Sequence, residues 1–497
     1  MIEAEIKLGV SPVVAAQIAK QVGLSGRSAQ TEKVWTQYFD TADFLLYRRG
    51  VAVRLRQQGA QWVQTLKVAR PNQGVLSVRP EWEVPAIGEA LDLTAFPDEA
   101  RVFLQGVSED SLRPVFVTQF ERQRRVLDIH GDLIEIALDR GEIRVGDAVG
   151  QTYEPICELE LELKQGGLAS VYALASDWAA RFVLRPEWLS KAERGYRLAG
   201  CQNLRPDKAE PLHLPAKAGV HSVWHGLLTA ALEQVTHNLA GVALSPDPEF
   251  VHQARVALRR LEAAAYLMRA VGLPVPEWQA DARWLMQALS EQRDADVRLY
   301  ERLPQAVQTL GAQSHLQPLF VIAEVAREVA RQHLLDALSE ARVVRFLLAL
   351  GQSALLEPPA GPQARQWLIK VLQRRLRRVR ALGERFELLD PEARHRLRLQ
   401  VKKLRYALDA SASVYGAGLR NLSQVIEYLQ DALGEANDAR VTLVWLERLA
   451  RSGAALNAPQ WRALGQFEGV LCQTEAGAIH RAHKAWGRLE ELPVHGL

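Results

Sequence analysis

The sequence predicts an α+β protein in two parts, β-rich over about residues 1–200 and all-helical over about 220–497. Three observations carry this. Up to about residue 165, short runs alternate apolar and polar residues with period two, the spacing of strands with one buried face. Beyond about residue 220, apolar residues recur at intervals of three and four, the period of amphipathic helices. Between the two, residues 203–219 carry Pro206, Pro211 and Pro215 with no periodicity, the composition of a linker.

The elements follow in order. Ile2/Ala4/Ile6 alternate with Glu3/Glu5/Lys7, then Val51/Val53/Leu55 with Arg54/Arg56, Trp82/Val84 with Glu81/Glu83, and Leu159/Leu161/Leu163 with Glu158/Glu160/Glu162/Lys164. Turn signals at Arg49-Gly50, Pro71-Asn72, Gly131-Asp132 and Gly146-Asp147 punctuate these strands. Residues 11–22 form a helix capped by Ser11 with Pro12 at its first position, and a second helix spans about 168–182. In the helical part, prolines 246/248, 274/276, 358/359/362 and 391 mark boundaries.

Composition narrows the function. The chain has 497 residues, 48% hydrophobic and 24% charged, which excludes disordered, collagen-like and disulfide-scaffold classes. Cys157, Cys201 and Cys472 are too few and too scattered for a zinc site. Three charges in the first seven residues argue against a secretory leader, and no apolar run reaches membrane-spanning length. A cytoplasmic protein without a membrane partner is expected. The net charge of +3 is small, so a polyanion partner must be argued from local clusters.

Such clusters exist on the strands. Glu3, Glu5 and Lys7 share one face, as do Glu158, Glu160 and Glu162. Arg54/Arg56, Thr65/Lys67, Arg79/Glu81/Glu83, Arg122/Arg124 and Glu135/Asp139 behave alike. A wet sheet face is the default explanation for any one strand. Three carboxylates at i, i+2, i+4 repel unless a cation sits among them. Hard divalent cations take oxygen ligands and leave positions for phosphate and water, while arginines and lysines hold phosphate oxygens. If the strands close into a barrel, both sets face one lumen, which describes a di- or triphosphate site.

At this point the residues resemble a known family. Glu3-Ala4-Glu5-Ile6-Lys7 is similar to the ExExK signature of the CYTH domain, the triphosphate tunnel metalloenzyme fold. Gly50-Val-Ala-Val-Arg54-Leu-Arg56, Thr65-Leu-Lys67, Arg79-Pro-Glu81-Trp-Glu83, Phe120-Glu-Arg122-Gln-Arg124, Glu135 with Asp139, Glu158-Leu-Glu160-Leu-Glu162 and Ser190-Lys191-Ala-Glu-Arg194 follow in the family's order. The resemblance implies an antiparallel eight-stranded tunnel with flanking helices, over residues 1–202, and metal-dependent triphosphate hydrolysis. Glu3, Glu5, Glu158, Glu160 and Glu162 would be metal ligands, for Mg2+ or Mn2+. Lys7, Arg54, Arg56, Lys67, Arg79, Arg122, Arg124 and Lys191 would bind phosphates. Glu81 and Asp139 would be acidic residues near a second metal or the attacking water. Arg125, opposite in phase to Arg124, is expected to be structural. Trp62 and Trp82 fall out of phase with the tunnel charges, and no aromatic platform for a base or thiazole is evident. That points to inorganic triphosphate over thiamine triphosphate or ATP, the latter as in an adenylate cyclase.

The helical part repeats. His252-Gln-Ala-Arg255-Val-Ala-Leu-Arg259-Arg260-Leu matches His395-Arg-Leu-Arg398-Leu-Gln-Val-Lys402-Lys403-Leu at an offset of 143. Ala288-Leu-Ser-Glu-Gln-Arg-Asp294 matches Ala432-Leu-Gly-Glu-Ala-Asn-Asp438 at 144, so halves of about 220–360 and 361–497 are expected. A stripe of His252, Arg255 and Arg259 adjoins the seam Ala254/Leu258/Leu261, and His395, Arg398, Lys402 and Arg405 repeat the arrangement. Residues 370–405 hold thirteen lysines and arginines against four acids, with Arg374 and Arg378 on one helix and few acids to pair at i+4. Such repulsion makes sense opposite a polyanion.

These residues resemble the CHAD domain, a histidine-containing α-helical domain. The resemblance implies two pseudo-symmetric four-helix bundles around a channel for inorganic polyphosphate, bound by His252, Arg255, Arg259, Arg260, Arg374, Arg378, His395, Arg398, Lys402, Lys403 and Arg405. It also suggests association with polyphosphate granules. Asp294 and Asp438 would either pair with bases or cap helices. Without aromatic interleaving or a groove-reading motif, nucleic acid is not the expected partner. The leading expectation is an inorganic triphosphatase that binds polyphosphate, and the alternative is a non-catalytic polyphosphate scaffold.

Overall fold

The structure, a computed structural model, describes residues 2–24, 30–59, 61–69, 74–146, 152–201, 204–209, 218–270, 276–311, 314–356, 363–415, 419–451 and 456–492. The expected turn at Pro71-Asn72, Asp147, most of the linker, Pro274 and the 358/359/362 prolines lie outside them. The chain forms two compact units. One comprises Met1–Asp207, Val235–Ser245 and Leu338–Leu356; the other comprises Lys208–Gln234, Pro246–Ala337 and Glu357–Leu497.

The first unit is built on strands β1 (Ile2–Gly9), β2 (Gln30–Thr41), β3 (Val51–Gln58), β4 (Gln61–Val68), β5 (Leu76–Ala86), β6 (Leu112–Ile129), β7 (Asp132–Val145) and β8 (Thr152–Gln165). They run in the order β5-β4-β3-β2-β6-β7-β8-β1, and an added β1–β5 pairing closes the ring into an eight-stranded antiparallel barrel. A two-residue β9 (Arg185–Pro186) pairs with the end of β1. The β6–β7 hairpin turns on His130 and Gly131, both with φ positive (55° and 93°). Two successive left-handed residues match the strand twist, and Gly131 takes the second without a Cβ clash.

Register and helices follow from side-chain chemistry. Lys7 lies opposite Glu160, Glu3 opposite Arg79, Lys67 opposite Glu81 and Arg122 opposite Asp139. Opposite charges across the ladder favour this register, and a one-residue slip would turn every charge outward. The outward residues Ile6, Leu8, Ile136, Leu159 and Leu161 pack on helices α1 (Pro12–Gln21) and α4 (Leu168–Arg181). Ser11 Oγ accepts from Val14 N to cap α1, as expected. Short helices α2 (Leu45–Arg48) and α3 (Asp98–Arg101) connect strands, and α5 (Lys191–Leu198) packs on β6, β7 and β8.

The helical elements are α6 (Val220–Leu244), α7 (Pro248–Ala270), α8 (Gln279–Val297), α9 (Leu303–Leu310), α10 (Gln317–Leu338), α11 (Ala341–Ala354), α12 (Ala364–Gly383), α13 (Pro391–Tyr415), α14 (Arg420–Arg451) and α15 (Ala458–Glu491). Helix α11 belongs to the first unit, where Val344 and Leu348 join the α1/α4 core. Helix α8 runs into α9 through a π-turn, Arg298–Arg302. Pro304 cannot donate to a carbonyl one turn back, and the widened turn accommodates it.

In the second unit Gly219 forms an antiparallel bridge with Gln363, 144 residues on. That is the repeat offset, so a residue pairs with its own equivalent, as a two-fold relation requires. Helices α7 and α13 pack together, as do α8 and α14. The halves are not separate closed bundles. One core draws on α12–α15, while a second joins Leu303 of α9 and Leu319 of α10 to Leu443 of α14 and Phe467 of α15.

Candidate functional site

Inward side chains of the barrel line a cavity of about 580 Å3. Strand β1 supplies Glu3, Glu5 and Lys7, β3 supplies Arg54 and Arg56, and β4 supplies Lys67. Arg79 and Glu81 come from β5, Arg122 and Arg124 from β6, and Glu160 and Glu162 from β8. Lys191 enters from the first residue of α5. A capping box fixes that end: Glu193 Oε2 accepts from Ser190 N at 2.8 Å, and Ser190 Oγ accepts from Glu193 N at 3.3 Å. Gly195 lets α5 approach, since a Cβ there would meet the Phe116 ring at 2.2 Å.

Acids and bases interlock. Lys67 Nζ lies 2.7 Å from Glu3 and 3.0 Å from Glu81, and Arg54 lies 3.3 Å from Glu81. Lys7 Nζ lies 2.8 Å from Glu5 and 3.5 Å from Glu160. Asp139 and Glu158 point inward too but sit beneath the cavity lining, fully buried. Their carboxylates and that of Glu160 lie within 4.8 Å of one another, the one such trio among the described residues. Lys191 reaches all three, at 2.7 Å from Asp139 and 2.9 Å from Glu160, in close contact with Glu158. Arg122 binds Asp139 through Nε at 2.8 Å and also contacts Glu160.

Burial pushes Glu160 up, but Lys191, Arg122 and Lys7 outweigh it and hold Glu160 well below the usual carboxylate range. Glu158 goes the other way: burial dominates its contact with Lys191, and the Glu160 charge adds to the rise. Glu162 is raised by burial and by Glu3 and Glu5, against the opposing Lys164. The register explains that crowding. Glu5, Glu162 and Glu135 stand directly opposite one another across β1, β8 and β7. A row of three carboxylates is unfavourable without counter-charge. This oxygen-only donor set fits a hard divalent cation, whereas at the deeper trio an ammonium already sits among the carboxylates.

Arg56 stands apart. It donates to Thr36 Oγ1 at 3.3 Å, and among the described residues no carboxylate lies within 4 Å of it. Burial, with Arg54 and Arg122 nearby, lowers its pKa to about 10. It faces the cavity as a cation with no carboxylate in contact among the described residues, Glu83 acting on it only from farther off; Arg79, which donates to Ser77 Oγ, is the other lumen base in that position.

The sequence offers no evident aromatic platform, and the structure places four aromatic residues at the lining, three of them (Tyr38, Phe120 and Tyr196) buried in a core cluster. Tyr38, Tyr47, Phe120 and Tyr196 line the cavity, with Tyr47 stacked on Tyr196 at 4.5 Å. Phe120 shares the phase of Arg122 and Arg124, so that signal was present in the sequence; Tyr47 and Tyr196 come from short helices, where no alternation marks them. Burial raises the Tyr38 phenol, yet Arg54, as charge and hydrogen-bond donor, lowers it overall. Trp62 packs on Trp35 and Trp82 donates to Glu99, both away from the cavity. Arg125 donates to Val22 O at 2.9 Å, behind the barrel wall.

The second unit holds a larger cavity, about 1080 Å3, lined by His252, Arg255 and Arg259 of α7 and by His395, Arg398 and Lys402 of α13. Arg259 donates to Tyr406 Oη at 3.4 Å, His395 Nδ1 lies 3.0 Å from Asn437 Oδ1, and Arg298 stacks on Trp445 at 4.1 Å. Asp294 and Asp438 lie inside helices and cap nothing; Asp438 is 3.9 Å from both Arg302 and Arg398. Burial and the neighbouring Arg259 and Arg398 lower Lys402 to about 6, and burial with Arg259 lowers Arg255 to about 10. Arg260, Arg374, Arg378, Lys403 and Arg405 do not line this cavity. Arg260 and Lys403 follow lining residues, about 100° round their helices. Arg405 pairs with Glu427 at 2.8 Å, and Arg374 and Arg378 lie on the exposed face of α12.

Comparison with known proteins agrees with both units. The CYTH domain model matches residues 1–196 and the CHAD domain model residues 226–447. The chain carries a CYTH domain followed by a CHAD domain. It is 28% identical over 203 residues to an inorganic triphosphatase of Haemophilus influenzae, a match that covers 41% of this chain and 56% of the relative. The chain thus spans about half the length of that relative. The crystal structure of the CHAD domain from the plant Ricinus communis is similar at 27% identity and a TM-score of 0.51, over 58% of this chain and 98% of that one. Among the described residues no helix is long and apolar enough to cross a membrane.

Proposed function

We propose that this chain hydrolyses inorganic triphosphate to pyrophosphate and phosphate in the barrel, with Mg2+ or Mn2+, and that its helical unit binds inorganic polyphosphate. The observation that supports this best is the closed ring, which turns the Glu5–Glu162–Glu135 row and the bases Lys7, Arg54, Arg56, Lys67 and Arg122 onto one lumen. Glu3, Glu5 and Glu135 would hold the metal beside Glu162, with Glu160 and Glu158 held by Lys191 below. When bound, the cation supplies Lewis-acid polarisation of phosphoryl oxygens and offsets their charge. Arg54, Arg56 and Arg122 offer donors to the equatorial oxygens. Water attacks the terminal phosphorus, the bond to the bridging oxygen breaks, and pyrophosphate leaves. Glu162, the lumen carboxylate with the raised pKa, takes the water's proton. The relative's name supports the inorganic substrate.

The aromatic wall of Tyr38, Tyr47, Phe120 and Tyr196 favours a second reading, an organic triphosphate such as thiamine triphosphate or ATP, whose ring would stack there. Phosphate release from tripolyphosphate, ATP and thiamine triphosphate with Mg2+ separates the readings. Tripolyphosphate should be fastest, chelation should abolish release, and added Mg2+ should restore it. Equal release from all three substrates overturns the inorganic-triphosphate assignment, and none from any leaves the scaffold alternative. Glu5→Gln should abolish turnover and keep polyphosphate retention, while Arg255→Ala with Lys402→Ala should do the reverse. If both variants lose the same property, the division of labour is wrong.

A further inference from the structure

Helix α12 carries seven arginines and lysines and no acidic residue in its twenty positions. Its apolar face, Leu368, Val371, Leu372, Leu376 and Val379, is buried. Two of the bases turn back onto the protein. Arg375 lies over the Tyr266 ring at 4.0 Å, and Arg380 donates to the Leu489 and Leu492 carbonyls. Lys370, Arg374, Arg377 and Arg378 face solvent. Among the described residues no carboxylate lies within 4 Å of these four, and none of them lines the helical unit's cavity.

The arrangement works against the helix. Lys370, Arg374 and Arg378 stand at i, i+4 and i+8, a row of about 12 Å in which each like-charged neighbour destabilises the next. A glutamate at position 374 would convert both repulsions into attractions. A sequence that keeps such a row where ordinary chemistry would relieve it holds charge ready for a ligand, the usual trade of stability for function.

We infer that this strip is a polyanion-binding surface distinct from the cavity, and that its ligand is a stretch of inorganic polyphosphate beyond the part the cavity holds. The inference rests on the polyphosphate reading of the helical unit. Nucleic acid fits less well. Sequence-tolerant binding of single strands relies on successive aromatic platforms for bases, and this face of α12 carries one aromatic residue, the half-buried Trp367, beside the exposed Gln366, Arg377 and Ala381. A flexible chain with a charge on every phosphate and no bases needs only the row of cations.

The test uses the full chain with Arg374→Glu, and the double variant with Arg378→Ala, binding long-chain and short-chain sodium polyphosphate at several salt concentrations. Arg374→Glu should raise the melting temperature and weaken long-chain binding about tenfold. It should also flatten the log–log salt dependence by roughly 0.7 for each phosphate no longer neutralised, the single-strand rule. Short-chain binding should hold. Arg255→Ala with Arg398→Ala should weaken both lengths. If those cavity variants change nothing while the strip variants still weaken binding, the cavity reading falls and the strip stands. Unchanged long-chain affinity and salt slope in both strip variants overturn the inference. So does loss of single-stranded RNA binding with polyphosphate retained, or failure of the wild-type chain to bind long-chain polyphosphate at all.

Discussion

Arg56→Ala should lower triphosphate turnover by roughly 10²–10³-fold, the usual cost of removing one preorganised donor to a developing oxyanion, without lowering the melting temperature. The two halves of this expectation come from one fact. Several other lumen bases meet a carboxylate: Lys67 meets Glu3 and Glu81, Arg54 meets Glu81, and Arg122 meets Asp139, while Arg79, like Arg56, has a hydroxyl partner, Ser77 Oγ. Arg56 meets only a threonine hydroxyl, and Arg54 and Arg122 crowd it. Removing it relieves repulsion in the empty protein and leaves no acid stranded. Removing Arg122 would instead strip Asp139 of one of its two cations, a far costlier loss. Turnover of tripolyphosphate and a thermal melt decide the matter. A marked fall in melting temperature would make Arg56 a structural residue, and unchanged turnover would remove it from phosphate binding.

Polyphosphate affinity should fall as pH rises from 7 to 9, by up to roughly tenfold per unit, and Lys402→Arg should flatten that dependence. Lys402 is the second-half equivalent of Arg259 at the repeat offset. It faces Arg255 and Arg259 from α7, Arg398 from its own helix and Asp438 from α14, and burial with these arginines lowers it to about 6. Above pH 7 the free cavity therefore holds it mostly neutral. A bound polyanion stabilises the ammonium and raises its pKa, so binding takes up a proton and weakens as protons become scarce. Arg255 and Arg298, lowered to about 10, remain charged across this range. Burial and Arg293 push His252 down, which favours its neutral form. Arginine at 402 keeps its charge. A wild-type affinity constant over pH 7–9, or a Lys402→Arg variant as steep as wild type, would show that this lysine does not titrate on binding.

Much of the barrel was legible because period two is a strong signal where one face is charged. Glu3, Glu5, Arg54, Arg56 and Lys67 fall on the lumen side by alternation alone. Alternation gives a face but not a depth. Glu158 and Glu160 share a phase, yet only Glu160 reaches the cavity, because α5 seals the level at which Glu158 lies. The basic stripes of α7 and α13 were legible at three–four spacing. Adjacent residues such as Arg259 and Arg260 carry the same charge, and only packing tells which one faces inward. Helix α11 shows the remaining limit. Its amphipathic pattern announces a partner without saying which one, and position in the chain suggested the helical half.

That placement of α11 bears on biosynthesis and on fragments. Val344 and Leu348 close a core whose other members lie before residue 185. A polypeptide stopped near residue 202 would leave the α4 side uncovered where these two side chains belong, with Tyr172, against which Gly351 fits so tightly that a Cβ would meet its hydroxyl at 2.3 Å, newly wetted. On the ribosome, the N-terminal barrel must wait for roughly 150 further residues before its apolar shell is whole, an interval of many seconds at ordinary elongation rates during which that surface stays open to chaperones.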